Sequence, residues 1–164
     1  MVILGLDPGS HYTGYGFIEK QGERLSAMDF GRISCVKGSS ITERLALIAH
    51  ELDDLLLGVR PDLSALESPF LGQNPKSLVV LAQARGALLA TLGSHRLPVT
   101  EYSPAEVKSA VVGNGRADKK QVAHMVGLTL KLDTSKLSAD TTDALAVAIC
   151  CALRHRFEQL ASNS

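Results

Sequence analysis

The chain predicts an α/β domain: a five-stranded mixed sheet flanked by helices on both faces. Three observations carry this. Near the start, short apolar runs alternate with turn residues, the mark of antiparallel hairpins. From Ser40 onward, segments of helical periodicity alternate with short strand-like runs, the pattern that lays helices over a sheet. The resulting order, β-β-β-α-β-α-β-α, lets the fourth strand return beside the first through a right-handed crossover. At 164 residues the chain is long enough for one domain, able to bury roughly 70% of its unfolded surface. Residues 1–158 are expected to form it, with 159–164 as a short tail.

The first strand is Val2-Ile3-Leu4-Gly5-Leu6, the second Gly14 to Glu19 and the third Leu25 to Ser34. Pro8-Gly9-Ser10 and Gln21-Gly22-Glu23 supply the turns. Ser40-x-x-Glu43 is a capping box, and Ile41, Leu45, Ile48, Leu52 and Leu55 follow at helical spacing until Pro61 ends the run. Asp62 to Glu67 is a fourth strand. A helix from about Pro75 to Leu92 is apolar on most sides (Leu78, Val79, Val80, Leu81, Ala84, Leu88 and Leu89 among them), so more than one face should be covered. A second copy of the chain is the economical cover, so a homodimer through residues 75–92 is expected, with the chain's own other helices as the alternative. Pro98 to Tyr102 is the fifth strand. Helices at Pro104 to Val112, Asp118 to Lys131 and from near Asp140 towards Phe157 complete the order, with Gly113-Asn114-Gly115 as a flexible hinge.

Composition bounds function loosely. Apolar residues make up 45% and charged residues 21%, as in an ordinary globular protein. The formal charge of zero argues against a nucleic-acid partner only on average. Six acids between Ile41 and Glu67 oppose Arg44 and Arg60, whereas Lys108, Arg116, Lys119, Lys120 and Lys131 oppose Asp118 alone. A local phosphate-binding face is therefore open. Cys35, Cys150 and Cys151 do not form a disulfide framework and suit a reducing compartment. No segment suggests a membrane span or a signal peptide, so a cytoplasmic protein with no membrane partner is expected. The five histidines show no metal-ligand spacing.

The candidate chemistry lies in four carboxylates, each where an apolar element stops or starts. Asp7 closes the first strand, Glu67 closes the fourth, and Asp140 and Asp143 stand at the head of the last helix. Alone, Asp7 suits a turn before Pro-Gly, and Asp140 and Asp143 suit an N-cap and a third helical position. Glu67 is harder to explain that way, because Glu is rare at the end of a buried strand. Taken together, clustered unpaired carboxylates repel one another and make sense mainly around divalent cations. That arrangement points to a two-metal hydrolytic site.

Several segments carry a resemblance to a family. They are Ile3-Leu4-Gly5-Leu6-Asp7-Pro8-Gly9-Ser10, Thr13-Gly14-Tyr15-Gly16, Leu81-Ala82-Gln83-Ala84-Arg85-Gly86, Val107 to Gly113, Lys119 to Val126, and Ala139-Asp140-Thr141-Thr142-Asp143-Ala144-Leu145-Ala146. Over nearly its whole length the chain resembles the RuvC-type Holliday junction resolvases, members of the ribonuclease H-like nuclease superfamily. The resemblance implies that Asp7, Glu67, Asp140 and Asp143 bind two Mg²⁺ ions, with Mn²⁺ as an alternative, and that Asp7 bridges both. It implies Lys108 and Lys119 in a DNA cleft, and Phe70 stacking near the crossover. It also implies a C2 homodimer nicking two opposed strands of four-way junction DNA, in recombination and repair, alongside branch-migration proteins. Glu67 is followed by Ser68-Pro69, a departure from the family pattern that bears on the loop presenting Phe70, and the chain ends soon after its last helix.

Lys119 and Lys120 open a helix behind Asp118, where the helix dipole disfavours cations unless they and the backbone N–H groups hold a phosphate. Arg116 joins them as a candidate DNA-binding residue; the Gly113-Asn114-Gly115-Arg116 loop lacks the Lys-Ser/Thr of a P-loop. Phe70, beside Pro69, suits either stacking on a base or burial beneath its loop. Three rivals remain. A related single-domain nuclease acting on ribosomal RNA precursors shares the fold. A junction-binding module without catalysis would not need all four acids. An actin-like sugar kinase or ATPase also opens with a strand ending in Asp-x-Gly, but needs two such domains.

Overall fold

The structure is a computed structural model that describes residues 1–69 and 74–162, with backbone only from residue 156 onward. Three antiparallel strands open it: β1 (Val2–Asp7), β2 (Tyr12–Gln21) and β3 (Arg24–Ser34). Helix α1 (Ile41–Val59) leads to β4 (Leu63–Glu67), and α2 (Pro75–Ser94) leads to β5 (Val99–Tyr102). Helices α3 (Pro104–Val112), α4 (Lys119–Leu130) and α5 (Ala139–Ser162) follow. The sheet order is β3-β2-β1-β4-β5, with β1, β4 and β5 parallel. The fourth strand does lie beside the first. The last helix continues through Ser162, past the start of the tail expected at 159.

Strand alternation sorts the sheet into two faces. Leu4, Leu6, Phe17 and Leu66 pack with Ile48 and Leu52 of α1 and with Ala84, Leu88 and Leu92 of α2. Ile3, Ile18 and Ala65 pack on the opposite face with α3, α4 and α5. On that second face α5 lies between the sheet and two other helices, which is why its run from Ala144 to Ala152 is buried all round. Burying Leu145, Val147 and Ile149 there contributes about 1.5–3 kcal/mol each.

The capping signal read at Ser40 forms as expected, and two further helix starts carry the same motif. Ser40 with Glu43, Ser103 with Glu106 and Asp118 with Gln121 each form a reciprocal capping box. Three expectations need correction. Gly113-Asn114-Gly115 is a built cap, not a hinge: Gly113 takes φ 82° and donates its N–H to Ser109 O, and the Asn114 carbonyl accepts from Ala117, which is buried. A 3₁₀ turn at Thr134–Lys136 precedes α5 where no element was expected. Helix α2, 20 residues long, is apolar enough in composition to cross a membrane, against the reading that no segment is. It packs on α1 and carries the buried, ion-paired Arg85 at mid-helix, a costly residue for a bilayer centre.

Candidate active site

Period-two alternation decides which way the strand-borne acids face. Asp7 falls on the side of Ile3 and Gly5, and Glu67 on the side of Ala65; both belong to the α5 face. The parallel register pairs Leu6 with Leu66 at the last step before the two acids, so these close adjacent strand ends at the carboxyl edge of the sheet. Open α/β sheets place their sites at that edge.

What brings the helix-borne acids to them is a bed of glycines. Gly5 and Gly16 are direct cross-strand partners, and Gly14 pairs with Asp7 on one side and Arg32 on the other. A Cβ on Gly5 would stand 2.1 Å from the Ala144 carbonyl oxygen, and one on Gly14 would stand 1.9 Å from that of Asp140. The first turns of α5 therefore rest on bare backbone, set by the cross-strand partner of Asp7. Asp140 is not the N-cap: Ser138 Oγ accepts from Thr141 N at 3.1 Å and Ser138 O from Thr142 N, which places Asp140 and Asp143 inside the first turns.

The four acids interact electrostatically. Asp7 is pushed up to about 7, first by burial and then by the negative charges of Asp143, Glu67 and Asp140, with Lys119 opposing. Glu67 is raised too, by burial and then Asp143, against Lys119 and Lys108. Asp143 meets Lys119 Nζ at 2.9 Å, and that contact raises the lysine. Asp140 meets Arg32 Nη1 at 3.5 Å, while Arg32 also stacks 4.1 Å from the centre of the Tyr12 ring.

An all-oxygen carboxylate set with mutual repulsion suits hard divalent cations such as Mg²⁺ or Mn²⁺. Among the described residues, no three acids, histidines or cysteines converge closely enough as they stand to hold an ion. The fit lies in the donor chemistry and in the repulsion an ion would relieve. Asp143 currently answers that charge with Lys119.

Two clefts open on either side of Glu67. One is lined by Asp7, Pro8, Glu67, Ser68, Pro69, Leu81 and Arg85. The other is bordered by Glu67, Lys108, Lys119 and Asp143 over an apolar floor including Val107 and Val122. Lys108 and Lys119 thus stand beside the acids. Arg116 and Lys120 are exposed and line neither cleft. Phe70 lies outside the described residues. Sequence reasoning missed Arg32, Arg85, Ser138 and the glycine bed. Alternate glycines within a strand, Gly14 and Gly16, were the available sign of close backbone approach.

Comparison with known proteins adds to this geometry. The family model described as crossover junction endodeoxyribonuclease RuvC matches residues 3–151. The crossover junction endodeoxyribonuclease RuvC of Heliobacterium modesticaldum is 45% identical over 152 residues, 93% of this chain and 94% of that one. That of Coxiella burnetii is 45% identical over 158 residues, 96% of this chain and 91% of that one. The structure of T. thermophilus RuvC in complex with a Holliday junction substrate superposes with a TM-score of 0.91 at 29% identity, covering 96% of each chain. Glycine-bedded acids at one sheet edge, on a fold shared end to end with these proteins, place the chain in the crossover junction endodeoxyribonuclease RuvC family.

Proposed function

We infer that the chain resolves four-way DNA junctions by paired, symmetric hydrolysis of phosphodiester bonds in two opposed strands, in recombination and repair. The observation that carries this is the gathering of Asp7, Glu67, Asp140 and Asp143 at one sheet edge, with Lys108 and Lys119 sharing a cleft with Glu67 and Asp143. Family membership supplies the substrate class.

Asp7, Glu67, Asp140 and Asp143 would hold two Mg²⁺ ions. When bound, such a pair activates water and stabilises the leaving 3′ oxygen. Lys108 and Lys119 hold phosphates beside the scissile bond, Lys119 by exchanging Asp143 for the substrate. Arg116 and Lys120, exposed on the same basic stretch, contact the backbone of an arm further out, and Phe70 stacks at the crossover.

A homodimer through α2 matches the symmetry of the junction. Its outward stripe, Val79, Ala82, Gln83, Gly86, Ala90 and Gly93, is exposed at helical spacing and uncovered by the described residues of this chain. Sedimentation at micromolar concentration should give a dimer, and Gly86→Glu a monomer; a wild-type monomer would remove the idea. The domain spans 1–158, and the enzyme works in the cytoplasm beside branch-migration proteins that move the crossover.

The deciding experiment incubates an end-labelled synthetic four-way junction with Mg²⁺ and reads a denaturing gel, with duplex DNA and the Asp7→Asn protein alongside. Paired nicks at symmetric positions, absent from duplex and mutant, are expected. Binding without nicks would indicate a recognition module. Absence of junction selectivity would favour the ribosomal RNA precursor nuclease.

A further inference from the structure

The Asp7-Pro8 step has a consequence for Glu67. In the β1–β4 ladder, Gly5 pairs with Ala65 and Leu6 with Leu66, while Ser64 N donates to the O of Pro98, the residue before β5, and Ser68 N to Tyr102 O on β5. Even-numbered amides of β4 therefore face β5, and odd-numbered positions face β1. Continued one step, the Glu67 carbonyl faces β1, where its donor would be the N–H of residue 8. Residue 8 is proline and has none. A carbonyl at the buried end of a strand needs another partner.

Arg85 supplies it. Reaching across from α2, its Nη1 donates to Glu67 O at 2.7 Å. The side chain is held in turn by Glu101 of β5, whose Oε2 lies 2.6 Å from Nη2 as a charge contact rather than an aligned hydrogen bond. Arg85 is only 8% exposed and lines the cleft shared by Asp7 and Glu67. A planar guanidinium suits this double duty better than an ammonium, since it offers donors in fixed directions.

We propose that Arg85 is a positioning residue of this site: its guanidinium replaces the ladder donor that Pro8 removes, and so fixes where the Glu67 carboxylate stands relative to Asp7. It touches neither substrate nor reacting atoms; it acts through Glu67. The assignment rests on the metal-dependent nuclease reading, but it can be tested apart from cleavage.

The test titrates DNA-free protein with Mn²⁺, following free Mn²⁺ by electron paramagnetic resonance, with circular dichroism and thermal melting alongside. Arg85→Gln should weaken Mn²⁺ binding by about 10-fold or more, the usual cost of removing a partner that orients a ligand. Arg85→Lys, which keeps the charge and a donor but not the fixed fork, should recover only part of that affinity. Because Arg85→Gln leaves Glu101 unpaired, the double variant Arg85→Met with Glu101→Gln removes the charge imbalance and still strips the carbonyl of its donor. It should lose Mn²⁺ affinity as Arg85→Gln does. A folded double variant that binds Mn²⁺ like wild type would reduce Arg85 to a structural ion pair and overturn the proposal. Wild-type junction cleavage, run in parallel, separates the two claims. A wild type that binds Mn²⁺ but never cuts would sink the nuclease reading while leaving the Arg85 assignment to the titration, and one that binds no Mn²⁺ would sink both.

Discussion

The strand-borne and helix-borne halves of the acid cluster are built on opposite terms. Asp7 and Glu67 end β1 and β4, are partly buried, and have no hydrogen-bond or ion-pair partner for their carboxylates among the described residues. Asp140 and Asp143 sit on the first turns of α5, where the helix dipole favours negative charge, and each faces a cation, Arg32 or Lys119. The strand half is strained first by burial and then by neighbouring negative charge, whereas the helix half is charge-balanced without any ion. This division shows where free energy is stored. Binding a divalent cation would relieve the strand pair, at the cost of releasing Lys119 from Asp143.

Removing a strand acid should break this comparison most forcefully. Asp7→Asn is expected to lower junction cleavage by ~10⁴-fold or more, the scale seen when a central catalytic group is removed. Junction affinity in a metal-free gel-shift should change little. Loss of binding together with cleavage would mean that the cluster holds the fold together.

The same residue makes the next largest effect, on stability. The folded-state value of Asp7, about 7, lies above its ordinary 3.8. A raised value means the native state holds that proton more tightly than the unfolded chain. Its stabilising contribution is therefore complete below pH 3.8 and lost as pH rises through about 7. The loss is on the order of 4 kcal/mol in the metal-free protein. Melting curves between pH 4 and pH 8 should thus decline for wild type more than for Asp7→Asn, with the variant the more stable at pH 8. Adding Mg²⁺ at pH 8 should raise the melting temperature of wild type and not of the variant. Equal pH slopes would refute the strained half of the comparison.

How much of this was legible in advance depends on distance along the chain. Strand and helix boundaries, the Ser40–Glu43 capping box and the acids at element ends are local properties, written in neighbouring residues. The parallel return of β4 followed from connection rules alone. Contacts between segments far apart were not legible. Nothing near Gly14 announces the Asp140 carbonyl above it, and nothing in Arg85 names Glu67. The N-cap of α5 slipped from Asp140 to Ser138 because both residues are good caps and only the helix register distinguishes them. The covered and open sides of α2 likewise depend on where α1 and the sheet lie.

The glycine bed offers a gentler perturbation that moves the helix half against the strand half. Gly14→Ala places a Cβ 1.9 Å from the Asp140 carbonyl, too close to survive without a shift of α5. Overpacking of this kind costs about 1–3 kcal/mol. The melting temperature should fall accordingly. Cleavage at a temperature where the protein is folded should fall further than the stability loss alone accounts for, because Asp140 moves away from Asp7. Gly22→Ala is the control. Its φ of 60° strains an alanine, but the position faces open space, so stability should drop without a cleavage defect in the folded protein. A Gly14→Ala variant cutting as well as Gly22→Ala would show that the approach of α5 to β2 is not what aligns the acids.

The smallest expected effect tests the charge-balanced half directly. Lys119 is well exposed and its bridge to Asp143 lies at the surface, so the pair adds only about 0–1 kcal/mol to stability. Lys119→Met should therefore leave the melting temperature of the metal-free protein almost unchanged. Its effect should appear instead in junction binding as a function of salt. If Lys119 exchanges Asp143 for a phosphate, the variant loses one counterion-releasing contact per chain, and the slope of log affinity against log salt should become shallower by about 1 per site. An unchanged slope would leave Lys119 as a counter-charge to Asp143 alone. A large fall in melting temperature would instead show that the helix-borne acids depend on their cations as heavily as the strand-borne acids depend on an ion.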